Sequence, residues 1–276
     1  MRQLHVVGPL TKHTMITKAA SRFSDRVLGY TTPTERYPSF RSASASNPGV
    51  GHPISSDLEI GERCSCSMAS VFLDLTNFTG RTFWDDPAEV TDLAHNVLCG
   101  FASVVAELGG HVLGLRGDGL FAAFGPTSDP AIAVAIASLA CATALDAVKN
   151  DLNPKLQARG VEPVQARAGA DFGESFFVRS GVPSASEVNV IGFATNFAAK
   201  CEKVAASWEL VVGDNFAAHI ADKTLLTKHE KSPKTYTRDY RDKTYGFSRY
   251  RWAASLQWVD STIDEIRGRP LEQLVG

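Results

Sequence analysis

Residues 68–125 read MASVFLDLTNFTGRTFWDDPAEVTDLAHNVLCGFASVVAELGGHVLGLRGDGLFAAFG. Within this stretch, Ala69–Leu75 (ASVFLDL) is a short apolar run of the kind that forms a buried strand. Asp85-Asp86-Pro87 followed by Glu89 marks a helix start, with an acidic cap, proline at the first helical position and an acidic first turn. That helix is predicted to reach Leu108 and to stop at Gly109-Gly110. From His111 to Gly125 the chain reads as two short strands about a tight Gly117-Asp118-Gly119 turn.

The same reading extends outward. Ser128-Asp129-Pro130 starts a second, alanine-rich helix to about Asn150. A strand at Val164–Asp171 follows, then a helix from Phe193 to near Ala206. Trp208–Gly213 reads as a strand and Asp214–Ala221 as a short helix. The tail from Lys234 to Trp258 alternates charged and aromatic residues, as edge strands do. Upstream, Thr14–Leu28 is amphipathic, while 31–67 is rich in Ser, Pro and Gly and reads as an irregular arm. The expected organisation is a helix and arm over 1–67, a folded unit over 68–222 and an extension over 223–276. The order of elements predicts a ferredoxin-like α+β fold. Its antiparallel sheet would carry helices on one face and place the first strand beside the hairpin in mid-sheet.

Composition narrows the function. The chain has 276 residues, 44% of them hydrophobic, and a formal charge of 28 − 30 = −2. Such a balance, without blocks of like charge, speaks against a nucleic-acid binder or a polybasic membrane-surface protein. No run of 18 apolar residues and no signal-type leader is expected to engage a membrane. Five cysteines, an odd number without a CxxC pair, fit a reduced, cytoplasmic protein.

Two carboxylates carry the chemistry. Asp74 ends the first strand, before the loop Thr76-Asn77-Phe78-Thr79-Gly80. Asp118 sits at the tip of the hairpin. The expected fold brings both to one end of the sheet. Carboxylates held close repel unless a cation or proton lies between them. Oxygen-only surroundings suit Mg²⁺ or Mn²⁺, and two such ions suit phosphoryl transfer.

FLDLTNFTG and GLRGDGLFAAFG, with their aspartates 118 − 74 = 44 residues apart, resemble the two metal motifs of class III nucleotidyl cyclases, the adenylate/guanylate cyclase family. ARAGADFGE and VNVIGFATNFAAKCE resemble two further segments of that family, and the likeness covers about 68–222. The resemblance implies a homodimer with sites at its interface, a nucleoside triphosphate substrate and two divalent ions held by Asp74, Asp118 and the carbonyl of Leu75. It assigns the amides of Phe78 and Thr79 to the β- and γ-phosphates and Arg167 to a phosphate. Asn196 would orient the ribose. Lys200 stands where the family has a transition-state arginine, and Lys243 matches a late triphosphate lysine.

The base readers differ from the family. Gly114 replaces the adenine-reading lysine, Asn189 stands at the second reading position, and neither purine pattern is present. Arg116 shares a strand face with Gly114 and can donate to pyrimidine carbonyls, and Phe72 can wall the base. Without purine readers the chain resembles the pyrimidine cyclases of bacterial Pycsar anti-phage systems. That likeness implies UTP, with CTP as the second choice, and a separate effector that reads the cyclic product. The alternatives are a purine cyclase with an atypical pocket and a non-catalytic nucleotide-binding module. A diguanylate cyclase is disfavoured by the absence of GG[DE]EF.

Overall fold

The computed structural model describes residues 17–29 and 50–273. The first residues of the predicted Thr14–Leu28 helix and most of the arm lie outside them. Helix α1 is Lys18–Gly29, and its first amides, those of Lys18 and Ala19, donate to Asp260 at 3.0 and 3.2 Å. Strand β1 spans Arg63–Thr76, starting six residues before the predicted Ala69 because Arg63–Met68 pairs with the far half of a long neighbouring strand. A short helix α2, Phe78–Trp84, occupies what the sequence read as loop. Helix α3, Pro87–Glu107, starts at the Asp86 cap, whose side chain accepts from Ala88 and Glu89.

Strands β2 (His111–Arg116) and β3 (Gly119–Phe124) form the predicted hairpin. Helix α4 (Pro130–Asp146) runs on through a π-helical turn into α5 (Asn153–Gln157). Strand β4 (Gln165–Val182) turns back into β5 (Ala185–Ile191), then come α6 (Phe193–Val204), β6 (Leu210–Gly213) and α7 (Asp214–Ala218). The tail adds β7 (Leu226–Lys228), β8 (Lys234–Arg238), β9 (Arg241–Tyr245), β10 (Phe247–Tyr250) and α8 (Val259–Ile266).

The main sheet has the order β2-β3-β1-β4-β6-β10-β7, with β5 on β4 and β8–β9 as a separate ribbon. Its pairs are antiparallel except β4 with β6. The first strand does lie beside the hairpin in mid-sheet. The tail adds β10 and then β7 at the edge beyond β6, as expected of it, and β10 completes the hydrogen bonding of β6.

Strand alternation sends side chains to two faces. From β1, Val71, Leu73 and Leu75 face α3 and α4, with Phe101 and Leu145 fully buried between the layers. The other face carries Met68, Ser70, Phe72 and Asp74. Here the one-face expectation fails, because α6 packs on this second face. Ser70 and Ser175 hydrogen-bond Thr195 of α6 at 2.9 and 2.8 Å. Gly169 of β4 admits the helix backbone, and a Cβ there would lie 2.0 Å from the Glu202 nitrogen. Glycine and serine contacts leave no apolar pattern in the sequence, which is why this layer was not foreseen.

One helix, Pro130–Gln157, is long and apolar enough to cross a membrane by length and composition. It is a core helix, since 83% of its apolar window is buried inside the protein. The cysteines are all unpaired, with Cys141 and Cys201 buried.

Candidate active site

β1, β3 and β4 converge on Asp74. Its neighbours in register are Gly119 on β3 and Arg167 on β4. The amide of Leu75 donates to the carbonyl of Asp118 at 3.2 Å, so the second acid is tied to the residue after the first. The hairpin can turn this sharply because Gly117 takes a left-handed φ of +61°. Gly119 keeps room for the first acid, because a Cβ there would stand 3.2 Å from Asp74 Oδ1. Burial and then the charge of Asp74 push the Asp118 carboxyl above its usual range. An acid held beside a second carboxylate suits a divalent cation, so this donor set fits the metal the sequence implies.

Asn77, at φ 58°, ends β1 and starts α2, placing the Phe78 and Thr79 amides in a first helical turn that lacks intrahelical acceptors. A cavity of about 370 Å³ joins this turn to the hairpin, lined by Phe78, Thr79, Thr82, His95, Gly117 and Asp118.

Arg167 extends to the first acid. Its Nη2 and Nε donate to Asp74 Oδ2 at 2.8 and 3.2 Å. On its other side Glu202 of α6 brings Oε1 to 2.5 Å from Nε. Burial, then the Asp74 charge, raises the Glu202 carboxyl to about 7 against the pull of Arg167. Glu202 was assigned no role from sequence, although it closes the AAKCE segment.

Asn196 and Lys200 stand four residues apart on α6, both exposed. Lys200 Nζ is 5.9 Å from the Tyr236 ring centre, and Lys243 pairs with Tyr236 across β8–β9. Lys200, Tyr236 and Lys243 therefore form one group. Among the described residues, no contact joins Asn196 or Lys200 to either metal acid.

Of the base-reading positions, the structure brings Arg116 to Glu187, two residues before Asn189 on β5. Phe177 of β4 packs with Met68 and Ala123, and Val188 and Val190 of β5 join them, folding the β4–β5 hairpin over the second sheet face. Arg116 then donates to Glu187 at 3.0 Å. Glu187 and Asn189 share one face of β5, as Gly114 and Arg116 share one face of β2. The Arg116–Glu187 pair is exposed and adds little stability. Phe72 stacks on Phe121 with ring centres 4.5 Å apart and planes 3° from parallel. Phe121, opposite Gly114 in register, was missed from sequence, although strand alternation aligns it with Phe72.

A second cluster lies at the other end of β2. Nε2 of His52 and of His111 approach Glu272 Oε1 at 2.9 and 3.1 Å. Their ligand atoms are close enough for a metal, but hydrogen bonding closes the group. His52 Nδ1 accepts from the Ile54 amide, so Nε2 carries the proton and donates to Glu272 and to the Gly125 carbonyl. His111 thus ties the tail to the sheet.

The fold is that of class III nucleotidyl cyclase catalytic domains. It superposes on the adenylyl cyclase CyaB from P. aeruginosa with a TM-score of 0.59 and 19% identity, over 68% of this chain and 95% of that one. The guanylyl cyclase Cya2 gives 0.57 and 18%, over 70% and 94%. In sequence the chain is similar to a cytidylate cyclase from Escherichia coli, 24% identical over 220 residues, 75% of this chain. Those residues span about half of that relative, 48% of its length. No family model matches the chain.

Proposed function

We propose that the protein is a nucleotidyl cyclase that converts a pyrimidine nucleoside triphosphate to its 3′,5′-cyclic monophosphate and pyrophosphate. The observation that carries this is the pairing of Asp74 with Asp118 beside the first turn of α2, tied by the Leu75–Asp118 backbone bond. Asp74, Asp118 and the carbonyl of Leu75 would hold two Mg²⁺ or Mn²⁺ ions. When bound, these supply charge neutralisation for the hydroxyl attack and the leaving pyrophosphate. The amides of Phe78 and Thr79 orient the β- and γ-phosphates. Asp74 accepts the proton of the ribose 3′-hydroxyl. Asn196 orients the ribose, while Lys200 and Lys243 place charge on the phosphates. Lys200 does so as a point donor, without the fork of an arginine.

In one chain the acids stand apart from Asn196 and Lys200. A symmetric homodimer would unite each pair of acids with the partner's α6. The bare Gly114 beside the Phe72–Phe121 stack, with Arg116 and Asn189 on the rim, favours a pyrimidine. The similarity to a cytidylate cyclase supports the same class and gives CTP a weight equal to UTP. Synthesis of a messenger for a separate antiviral effector belongs to the same proposal.

The test is mass spectrometry of products from each of the four nucleoside triphosphates with Mn²⁺. Cyclic CMP or cyclic UMP is expected. Cyclic AMP or GMP would retain the metal site and refute the base pocket. No cyclic product would refute the enzyme assignment in favour of a nucleotide-binding module.

A further inference from the structure

Arg167 lies between two carboxylates of different kinds. Asp74 is a metal-ligand candidate, and Arg167 places two donors on its Oδ2. Glu202 lies on a helix, is 8% exposed, and its Oε1 touches Nε of Arg167 without an aligned hydrogen bond. A guanidinium carries five donors in a fork and can serve both acids at once. It also competes for the Asp74 oxygen that a divalent cation would take.

We propose that Glu202 is a positioning residue for Asp74, acting through Arg167. It offers the guanidinium a second anion, so that Asp74 Oδ2 can pass to a divalent cation while Arg167 keeps a partner. This inference rests on the two-metal reading above. The helix that carries Glu202 is fixed against β4, because its backbone fills the space of the absent Gly169 side chain. Glu202 therefore cannot follow Arg167, and the guanidinium is the mobile member. Without the Glu202 charge, Arg167 has Asp74 as its anion and holds it more tightly, so metal binding weakens. Through Arg167 of β4, these contacts link Asp74 of β1 to α6, the helix of Asn196 and Lys200.

Mn²⁺ binding, measured by calorimetry and by loss of the free-ion electron paramagnetic resonance signal, tests this without turnover. The proteins are the wild type, Glu202→Gln, Arg167→Met and the double variant. Glu202→Gln is expected to weaken Mn²⁺ binding about tenfold, the scale of one coupled contact between neighbouring charges. In the Arg167→Met background the same change should cost less than about twofold. Equal losses in the two backgrounds would mean that Glu202 acts only as a nearby negative charge, and would overturn the proposal. So would Glu202→Gln binding Mn²⁺ like the wild type. Glu202→Asp keeps the charge but withdraws it by one methylene, and should give an intermediate loss. If Glu202→Gln does not fold, Glu202→Asp in both backgrounds decides the same question. A wild type that binds no Mn²⁺ would refute the two-metal reading itself, a result distinct from wild-type binding that Glu202→Gln leaves unchanged.

Discussion

Gly169→Ala is expected to unseat α6 from the sheet. The added Cβ would lie 2.0 Å from the Glu202 nitrogen, 2.5 Å from the Ala198 oxygen and 2.6 Å from the Glu202 Cα. All three are backbone atoms, so no side-chain rotation relieves the overlap. Ordinary contact begins at 3.4 Å, so α6 must retreat by about 3.4 − 2.0 = 1.4 Å, or β4 must bend by as much. Overpacking of this kind costs about 1–3 kcal/mol, which lowers the melting temperature by roughly 2–12 °C in a protein near this size. The retreat also draws Glu202 from Arg167 and displaces Asn196 and Lys200. A misplacement near 1 Å can cost about a hundredfold in rate. Thermal melting by circular dichroism, paired with the cyclase assay, reads both effects. Gly80→Ala is the control. Gly80 lies in α2 with nothing within 4 Å of an added Cβ, so that change should be neutral or stabilise by up to about 1 kcal/mol. A Gly169→Ala protein that melts with the wild type and keeps its activity would refute the close seating of α6 on β4.

Asp118→Asn should abolish cyclic product and the Mn²⁺-induced rise in melting temperature, while the metal-free protein melts no lower than wild type, since a like charge beside Asp74 has gone. A retained Mn²⁺ shift would remove Asp118 from the metal site. Arg116→Ala should alter the ranking of the four nucleotides and leave the Mn²⁺ shift intact. An unchanged ranking takes Arg116 out of the pocket. Burial raises the Asp171 carboxyl to about 7 despite bonds from the Phe172 and Phe216 amides and Tyr245. Its folded form holds a proton that the unfolded chain has released, so stability should fall as pH rises from about 4 to 7. Asp171→Asn should flatten that limb in denaturant melts across pH. Glu272 behaves oppositely. Although burial opposes ionisation, the hydrogen bonds of His111 and His52 hold its carboxyl down to about 2. The stability it gives is complete above its ordinary value of 4.5 and is lost as pH falls toward 2, so Glu272→Gln should blunt that acid limb.

The sequence exposed those parts of the fold that local chemistry dictates. The Asp86-Pro87 and Asp129-Pro130 starts place α3 and α4 to the residue, and Gly117 marks the hairpin turn. Asp74 and Asp118 were legible because a strand end and a hairpin tip meet in any sheet of this order. What escaped depends on contacts between distant segments. α2 lacks a capping side chain, since Asn77 starts it through a left-handed backbone. The far halves of β1 and β4 extend each other, and the β1 half, Arg63–Met68, carries no apolar run. Glu202 reads as an ordinary helix-surface acid until Gly169 brings its helix onto β4 and Arg167 beneath it. The tail, by contrast, was legible as an edge addition from its short, charged strands, and β10 and β7 do close that edge of the sheet. The missing hydrogen bonds of β6 draw it into the sheet.

The Asp260 cap on α1 also sets a clock on biosynthesis. The acceptor of the Lys18 amide is made 242 residues after the amide itself. At roughly 5–20 residues per second, α1 waits about 12–48 s before it can be closed. Its apolar side is covered sooner, because Phe23 packs on Gly100 and Phe101 of α3. A newborn chain therefore seats this helix before it caps it.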